Sequence, residues 1–415
     1  MNNKEAGAMS ERNNEKRQLV PRLRFPEFRN AENWNSAQFD QLTSTITPPK
    51  KIPTSEYLSE GEFPIIDQGQ DAIAGWTNDP DALIDADEPL IIFGDHTCAL
   101  KLVQQPFAQG ADGIKIIKGS EEVSTDYLYQ FLSFHPVVTE EYKRHYSTLK
   151  TRWISYPDRE SGEQKKISDC LSSLDELVAA ETQRLGALKL YKKGLMHQLF
   201  PREGEAAPRL RFPEFRDMGE WEEKSLGDLG EVVTGNTPST SKPEYYGGEC
   251  LFVSPADISD LRYVETTKTL LSDLGFAQAR QIEAGSILFV CIGSTIGKVA
   301  QNRFKCATNQ QINSIIPHKD FFGDFIYYLL SRESQRIAKL AGIQAVPIIN
   351  KSTFSAIRVR APKPPEQMMI AELLCSLDNL ISAQSEKISA LNTHKNGVMQ
   401  QLFPELKENM VTKHD

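Results

Sequence analysis

At 415 residues, with 40% hydrophobic and 25% charged content, the chain is long enough for two globular domains with their own cores. A formal net charge of −9 excludes a protein that coats nucleic acid over its whole surface, so any DNA contact has to be local. No stretch approaches the roughly 18 uninterrupted apolar residues of a spanning helix, and six scattered cysteines (Cys98, Cys170, Cys250, Cys291, Cys306, Cys375) write neither a zinc site nor a disulfide framework. The expectation is a cytoplasmic protein with no membrane segment, no metal and no cofactor.

Residues 1–20 are polar and lack the apolar stretch of a signal peptide, which predicts a disordered tail, as does the composition of 407–415. The phrase "PRLRFPEFR" follows at 21–29 and returns at 208–216. The likeness extends to 21–42 against 208–229 and carries Trp34 onto Trp221. After each copy come short β-rich runs broken by turn signals: "PLIIFG" and "GIKIIK" in the first half, "SILFVCIG" and "INSIIP" in the second. A helical run then follows, predicted over 124–144 and again from "GDFIYYLLSRESQRIAKL", and each half closes with an extended segment, "TRWISYP" and "VPIINKSTFSAIRVRAP". The shared order predicts one mixed fold used twice, with Phe93, Phe131, Phe289 and Phe354 in its cores.

A second repeat ends each half. Residues 163–201 match 366–404 at 18 of 39 positions. Their apolar residues recur at alternating spacings of four and three, the pattern of a coiled-coil seam. The first series runs Ile167, Leu171, Leu174, Val178, Glu181, Leu185, Leu188, Lys192, Leu195, Leu199; the second runs Ile370, Leu374, Leu377, Ile381, Gln384, Ile388, Leu391, Lys395, Val398, Leu402. Each predicts a helix of about 50 Å, stopped by Pro201 or Pro404. The two polar breaks in each seam favour pairing of the helices with each other. Antiparallel packing in which Glu181 faces Lys395 and Gln384 faces Lys192 would let the polar positions meet. That register crosses near the small residues Gly186, Ala187, Ser389 and Ala390. Such pairing makes the chain a pseudo-dimer with two similar heads, a symmetry that suits duplex DNA with half-sites about 34–36 Å apart.

The repeated "LRFPEF" followed by Trp, together with "GNTPS", "IGK", "NQQIN", "PPEQ" and the twin helices, resembles the specificity subunit of type I restriction-modification systems over residues 18–406. The resemblance implies an α+β fold: two similar mixed α/β target recognition domains (21–160 and 204–362) joined by two long antiparallel helices in a coiled coil (161–203 and 363–406), with a pseudo-two-fold internal repeat. It also implies a non-catalytic subunit. Each domain would read one half of a bipartite duplex DNA site while the helices set the gap and dock two adenine methyltransferase subunits. An ATP-dependent restriction subunit, translocase and endonuclease, would complete the complex. The alternative is a structural adaptor that binds proteins and no DNA.

On that reading the local basic patches become candidates for phosphate contact. No acid occurs between 284 and 319, where Lys298, Arg303, Lys305 and Lys319 stand, or between 334 and 365, which holds Lys351 among six bases. The first-half patch is "YKRHYSTLKTRW", with Lys143, Arg144, Lys150 and Arg152 among aromatics. Candidate base readers in the second domain are Asn236, Thr237, Asn309, Gln310 and Gln344, because side-chain amides can pair bidentately with adenine. In the first domain "FGDHTCALK" resembles a loop of some family members, which implies a turn at Gly94 presenting Asp95, His96 and Thr97.

Three further motifs are weaker. "GSTIGKV" lacks the spacing and the Ser or Thr of a phosphate-binding loop, so it predicts a turn between strands with Lys298 free. "PDRESGEQK" (157–165) has the outline of a metal-dependent nuclease site, but its duplicate "APKPPEQM" lacks the Asp and the Lys, so the shared Glu-Gln (163–164, 366–367) reads as a helix start. "TPPK" falls short of an adenine methyltransferase signature at both ends.

Overall fold

The computed structural model describes residues 19–111, 113–138, 144–259, 261–342 and 347–404. Lys143, Gln344, residues 1–18 of the tail expected over 1–20 and the expected tail over 407–415 lie outside the described residues; Leu19 departs from that expectation, since its carbonyl accepts the Trp34 N–H at 3.0 Å and it packs against a hydrophobic core. Two compact units form, and neither is a single contiguous repeat. Unit 1 combines the chain up to Thr182 with the chain from Lys387 onward; unit 2 is Gln183–Glu386.

Unit 1 carries a ribbon pairing β1 (Asn35–Gln38) with β10 (Trp153–Tyr156). Its first four-stranded sheet has the order β2-β9-β6-β7, formed by Thr43–Ile46, Ile114–Gly119, Leu90–Gly94 and Leu100–Val103. The other sheet has the order β4-β3-β8-β5: Gly75–Thr77, Phe63–Ile66, Phe107–Gln109 and Leu83–Ile84. Unit 2 repeats this plan. Its ribbon is β11 (Glu222–Ser225) with β21 (Arg358–Ala361), and its sheets run β12-β20-β17-β18-β14 and β15-β13-β19-β16. These comprise Gly230–Thr234, Ile312–Pro317, Ile287–Val290, Val299–Asn302 and Tyr263–Val264, then Thr269–Leu271, Tyr246–Val253, Cys306–Thr308 and Gln281–Ile282. In both units the middle pair of the second sheet is parallel, β3 with β8 and β13 with β19. Strand β14, without a counterpart among the described residues of unit 1, belongs to the longer second half.

The uninterrupted apolar runs become central strands covered on both faces, since side chains alternate across a sheet. Ile91 and Phe93 of β6 enter the core under the helices, whereas Leu90 and Ile92 pack toward the second sheet. Ile287 and Phe289 of β17 divide from Leu288 and Val290 in the same way. Phe131 and Phe354 are buried in the same two cores, as expected.

The helices are α1 (Thr125–Phe134), α2 (Tyr146–Lys150), α3 (Glu163–Leu199), α4 (Leu226–Leu229), α5 (Asp273–Gln278), α6 (Gly323–Ala338), α7 (Lys351–Ala356) and α8 (Pro364–Leu402). Two differ from expectation. Helix α1 stops at Phe134 rather than running on to residue 144, because Pro136 disfavours helical geometry at His135. Helix α7 interrupts the segment expected to be extended: the Asn350 side chain accepts the Thr353 N–H at 2.8 Å and nucleates one turn.

In unit 1 the first half of α3 packs antiparallel to the end of α8, and in unit 2 the second half of α3 packs antiparallel to the start of α8. Ile167, Leu171 and Leu174 share a core with Val398, Met399 and Leu402, while Leu195 and Leu199 share one with Ile370, Leu374 and Leu377. The seam is the inward stripe. Val178, Leu185, Leu188, Ile381, Ile388 and Leu391 are half-buried between exposed neighbours, and the polar breaks Glu181 and Gln384 are buried.

The register differs from the expected one. Lys395 pairs with Asp175, not Glu181; Lys192 pairs with Asp378, not Gln384; Glu181 takes Lys387 at 2.5 Å. Each lysine therefore meets an acid six residues earlier than expected. The cause is reach: a lysine stem lies along the seam while its ammonium finds a carboxylate on the flank. Gly186, Ala187, Ser389 and Ala390 are exposed instead of lying at a crossing. Each aspartate is also held by its own head, Asp175 by the Gln130 amide at 3.1 Å and Asp378 by the Tyr328 hydroxyl at 2.5 Å. Head and helix are thereby locked in the same way in both units.

The duplicated phrase works as a clasp on two helix ends. In unit 1 Arg24 grips Glu163, in the first turn of α3, through Nε at 2.8 Å and a terminal nitrogen at 2.6 Å, and the neighbouring Leu23 N–H caps Gln401 O of α8 at 2.9 Å. In unit 2 Arg211 grips Glu366 with two 2.8 Å bonds while Leu210 N–H caps Gln198 O of α3 at 3.0 Å. Gln164 and Gln367, next in the chain, donate to Pro157 O and Pro362 O, both at 2.8 Å. The Glu-Gln pairs are thus helix-start anchors, and Glu163 is engaged by an arginine rather than presented to a metal.

Each clasp closes over an aromatic triad. Phe403, just beyond α8, packs on Tyr127, which meets Trp34 edge-on; Phe200, just beyond α3, stacks on Phe325, which meets Trp221 edge-on. His135 is wedged among Phe131, Phe134 and Phe403. Burial, then the nearby Arg152 guanidinium, lowers its pKa to about 4. Between pH 6.5 and 4 the unfolded chain therefore takes up a proton that folded unit 1 refuses, so unit 1 is expected to lose stability as pH falls through that window. Its melting temperature against pH should show the slope, and His135→Gln should flatten it.

Candidate nucleic-acid interface

In both units the loops at one end of the two sheets are stitched together by the same backbone bonds. In unit 1 the Asp95 N–H donates to Gly113 O at 2.7 Å, joining the β6–β7 loop to the β8–β9 loop, and Asp95 O accepts the His145 N–H at 2.8 Å. In unit 2 the Cys291 N–H donates to Gln311 O at 2.8 Å and Cys291 O accepts the Ile349 N–H at 2.8 Å. The frame is common while its side chains differ.

In unit 1 Gly94 ends β6 against Thr97, and the Thr97 hydroxyl donates to Gln68 O at 2.6 Å, drawing in loop 67–71. Asp95 is not a presented group: it is 6% exposed and its carboxylate accepts the Tyr146 N–H at 2.9 Å, capping α2. Arg152 is likewise spent, since its guanidinium bonds His135 O and Pro136 O beyond the end of α1. His96 is half-buried. Arg144 and Lys150 are exposed, and Lys150 lies 5.4 Å from the centre of the Tyr146 ring.

In unit 2 Asn236, Thr237, Asn309 and Gln310 do converge. Thr237 Oγ1 donates to Gln310 Oε1 at 2.7 Å, and Gln310 is exposed. Asn309 turns back on Gln311, donating to its Oε1 at 3.0 Å and accepting its N–H at 3.1 Å. Gly235 sits so close to Thr308 O and Asn309 O that an added Cβ would collide with backbone. Gly235→Ala is expected to cost about 1–3 kcal/mol through forced loop displacement, measurable by denaturant unfolding of unit 2.

The basic runs fare less well. Arg303 pairs with Glu265 at 2.6 Å, Lys305 with Glu283 at 2.8 Å, and the Lys298 ammonium donates to Ile258 O at 2.7 Å, so Lys298 is not free. The first two are exposed pairs of small net worth, but each cancels the local charge that made the run attractive. Lys351, the first residue of α7, is exposed beside its cap Asn350.

The structure also brings in residues that the sequence reading missed. Loop 67–71, "DQGQD", joins the unit 1 surface, and its two amides around a glycine are a signal comparable to "NQQIN". Lys115 lies 5.5 Å from the Tyr146 ring centre, accompanying Lys150. Arg280 joins the unit 2 cluster through Asn236. Among the described residues no group of three or more His, Cys, Asp or Glu could hold a metal ion, and no helix is long and apolar enough to cross a membrane.

Two like-built heads, each offering a polar loop surface on a common frame and each tied into paired helices, define a duplicated recognition scaffold. Residues 218–393 match the family model described as "Type I restriction modification DNA specificity domain". The chain is 26% identical to the EcoR124I/EcoR124II specificity subunit of Escherichia coli, over 83% of this chain and 87% of that one. It is 37% identical to the HindI specificity subunit of Haemophilus influenzae over 34% and 32% of the two chains. The crystal structure of the S subunit from M. genitalium shares the fold, with a TM-score of 0.65 at 14% identity, covering 94% of this chain and all of that one. In sequence the chain is similar to specificity subunits of type I restriction-modification systems, and it shares the fold of one of them.

Proposed function

We propose that residues 21–160 and 204–362 each read one half of a bipartite duplex DNA site, while the helical segments 161–203 and 363–406 set the gap and dock two adenine methyltransferase subunits. The chain supplies no catalytic group. Methylation falls to those partners, which flip the target adenine out of the stack, and cleavage falls to an ATP-dependent restriction subunit, all in the cytoplasm. The observation that carries this reading is the identical stitching of the loop frame in both heads, with Asp95, Gly113 and His145 in one standing where Cys291, Gln311 and Ile349 stand in the other. A constant frame with different contents is what two different half-sites require. The similarity to specificity subunits favours this over a protein-binding adaptor.

The test is selection from randomised duplexes by the chain assembled with its modification subunits, followed by a salt titration. Two separated sequence blocks and an affinity that falls linearly with log salt are expected. Salt-insensitive binding without sequence preference would overturn the proposal.

A further inference from the structure

We infer that Arg280 is a base reader of the second head, with guanine as its target, and that Asn236 is its positioning residue; this rests on the DNA-reading function proposed above. Arg280 stands between α5 and β16, exposed, with the buried Ala279 anchoring the backbone before it. Its N–H donates to Asn236 Oδ1 at 2.7 Å, and Asn236 Nδ2 donates to Gln278 O at 3.0 Å. Both ends of the Asn236 amide are thereby engaged in holding loop 278–280 beside loop 234–237. Asn236 has become a bracket, and what it brackets is an arginine.

The guanidinium is aimed as well as placed. One terminal nitrogen donates to Thr234 O at 2.6 Å, which tethers the group through a neutral acceptor and leaves its charge uncancelled. Arg303 and Lys305 each meet a carboxylate; no ion pair found among the described residues includes Arg280. Guanidinium has five N–H donors in a rigid fork, so a single tether leaves an edge of parallel donors. Guanine presents two acceptors, O6 and N7, on its major-groove edge, and Arg bidentate to them is the commonest specific base contact. The neighbouring Gln310 amino group, oriented by Thr237, extends the donor surface. A phosphate contact would need only a charge on a mobile stem, without the bracket and the tether.

The experiment repeats the selection from randomised duplexes with the assembled complex, position by position, for wild type, Arg280→Ala, Arg280→Lys and Asn236→Ala. Arg280→Ala is expected to lower discrimination for guanine at one position of one half-site by about 10- to 100-fold, with other positions and the melting temperature unchanged. Arg280→Lys should not restore it. Asn236→Ala should weaken the same position, and the double variant should be no worse there than Arg280→Ala alone. Uniform loss across all sequences, rescued by lysine, would make Arg280 a phosphate contact and overturn the inference. Unchanged selection by Arg280→Ala would overturn it too while leaving the reading function standing. If wild type itself selects nothing, the reading function fails and takes this inference with it.

Discussion

Phe403→Ala, at the far end of the chain, is expected to destabilise the first unit and spare the second. Phe403 is fully buried in unit 1 against Tyr127, Phe131 and Phe134, with ring centres 5.4–5.8 Å away. Truncating a buried phenylalanine costs about 3–5 kcal/mol, transfer and cavity terms together. Hydrogen exchange should show amides of β6, β9 and α1 losing protection while those of β17 and β20 keep theirs. Phe200→Ala, at the equivalent position of the first repeat, should do the reverse. Loss of protection confined to the repeat that carries the substitution would contradict the exchange of helix ends.

The second large effect belongs to the clasp. Arg211 and Glu366 are largely buried, at 10% and 3% exposure, and Glu366 raises the guanidinium's already high pKa through their hydrogen bonds. Arg211→Met leaves the carboxylate buried without its cation, a loss of about 3–5 kcal/mol in unit 2. Replacing both partners, Arg211→Met with Glu366→Leu, should recover most of that, because the cost lies in stranding a charge. Urea unfolding of the four proteins closes the cycle, and a double variant as unstable as the single one would refute this account. Arg24 and Glu163 provide the same test in unit 1.

The long helices were legible because their apolar residues repeat over ten seam positions, and the two heads because each β-rich run has a counterpart at the equivalent place. The helix register was not legible. Sliding one such helix along another preserves apolar contact, and the residues that fix it, Asp175 and Asp378, stand outside the seam. The basic runs misled for a related reason: charge along the chain says little about charge in space. Glu265 and Glu283 lie just upstream of an acid-free stretch and fold back to neutralise it. The amide-rich loops of the second head do come together, yet Asn236 proved to be a bracket, which no spacing rule reveals. Arg280 carries no such signal, because it is a solitary base outside every basic run.

The exchange of helix ends has a consequence for ancestry. Neither repeat holds a complete unit, because the aromatic plug that finishes one head is carried at the end of the other repeat's helix. A half-length forebear with one head and one helix could have satisfied its clasp and filled its core only by borrowing from a sibling molecule. Gene fusion would then have made an obligatory homodimer permanent, and in doing so freed the two reading surfaces to diverge.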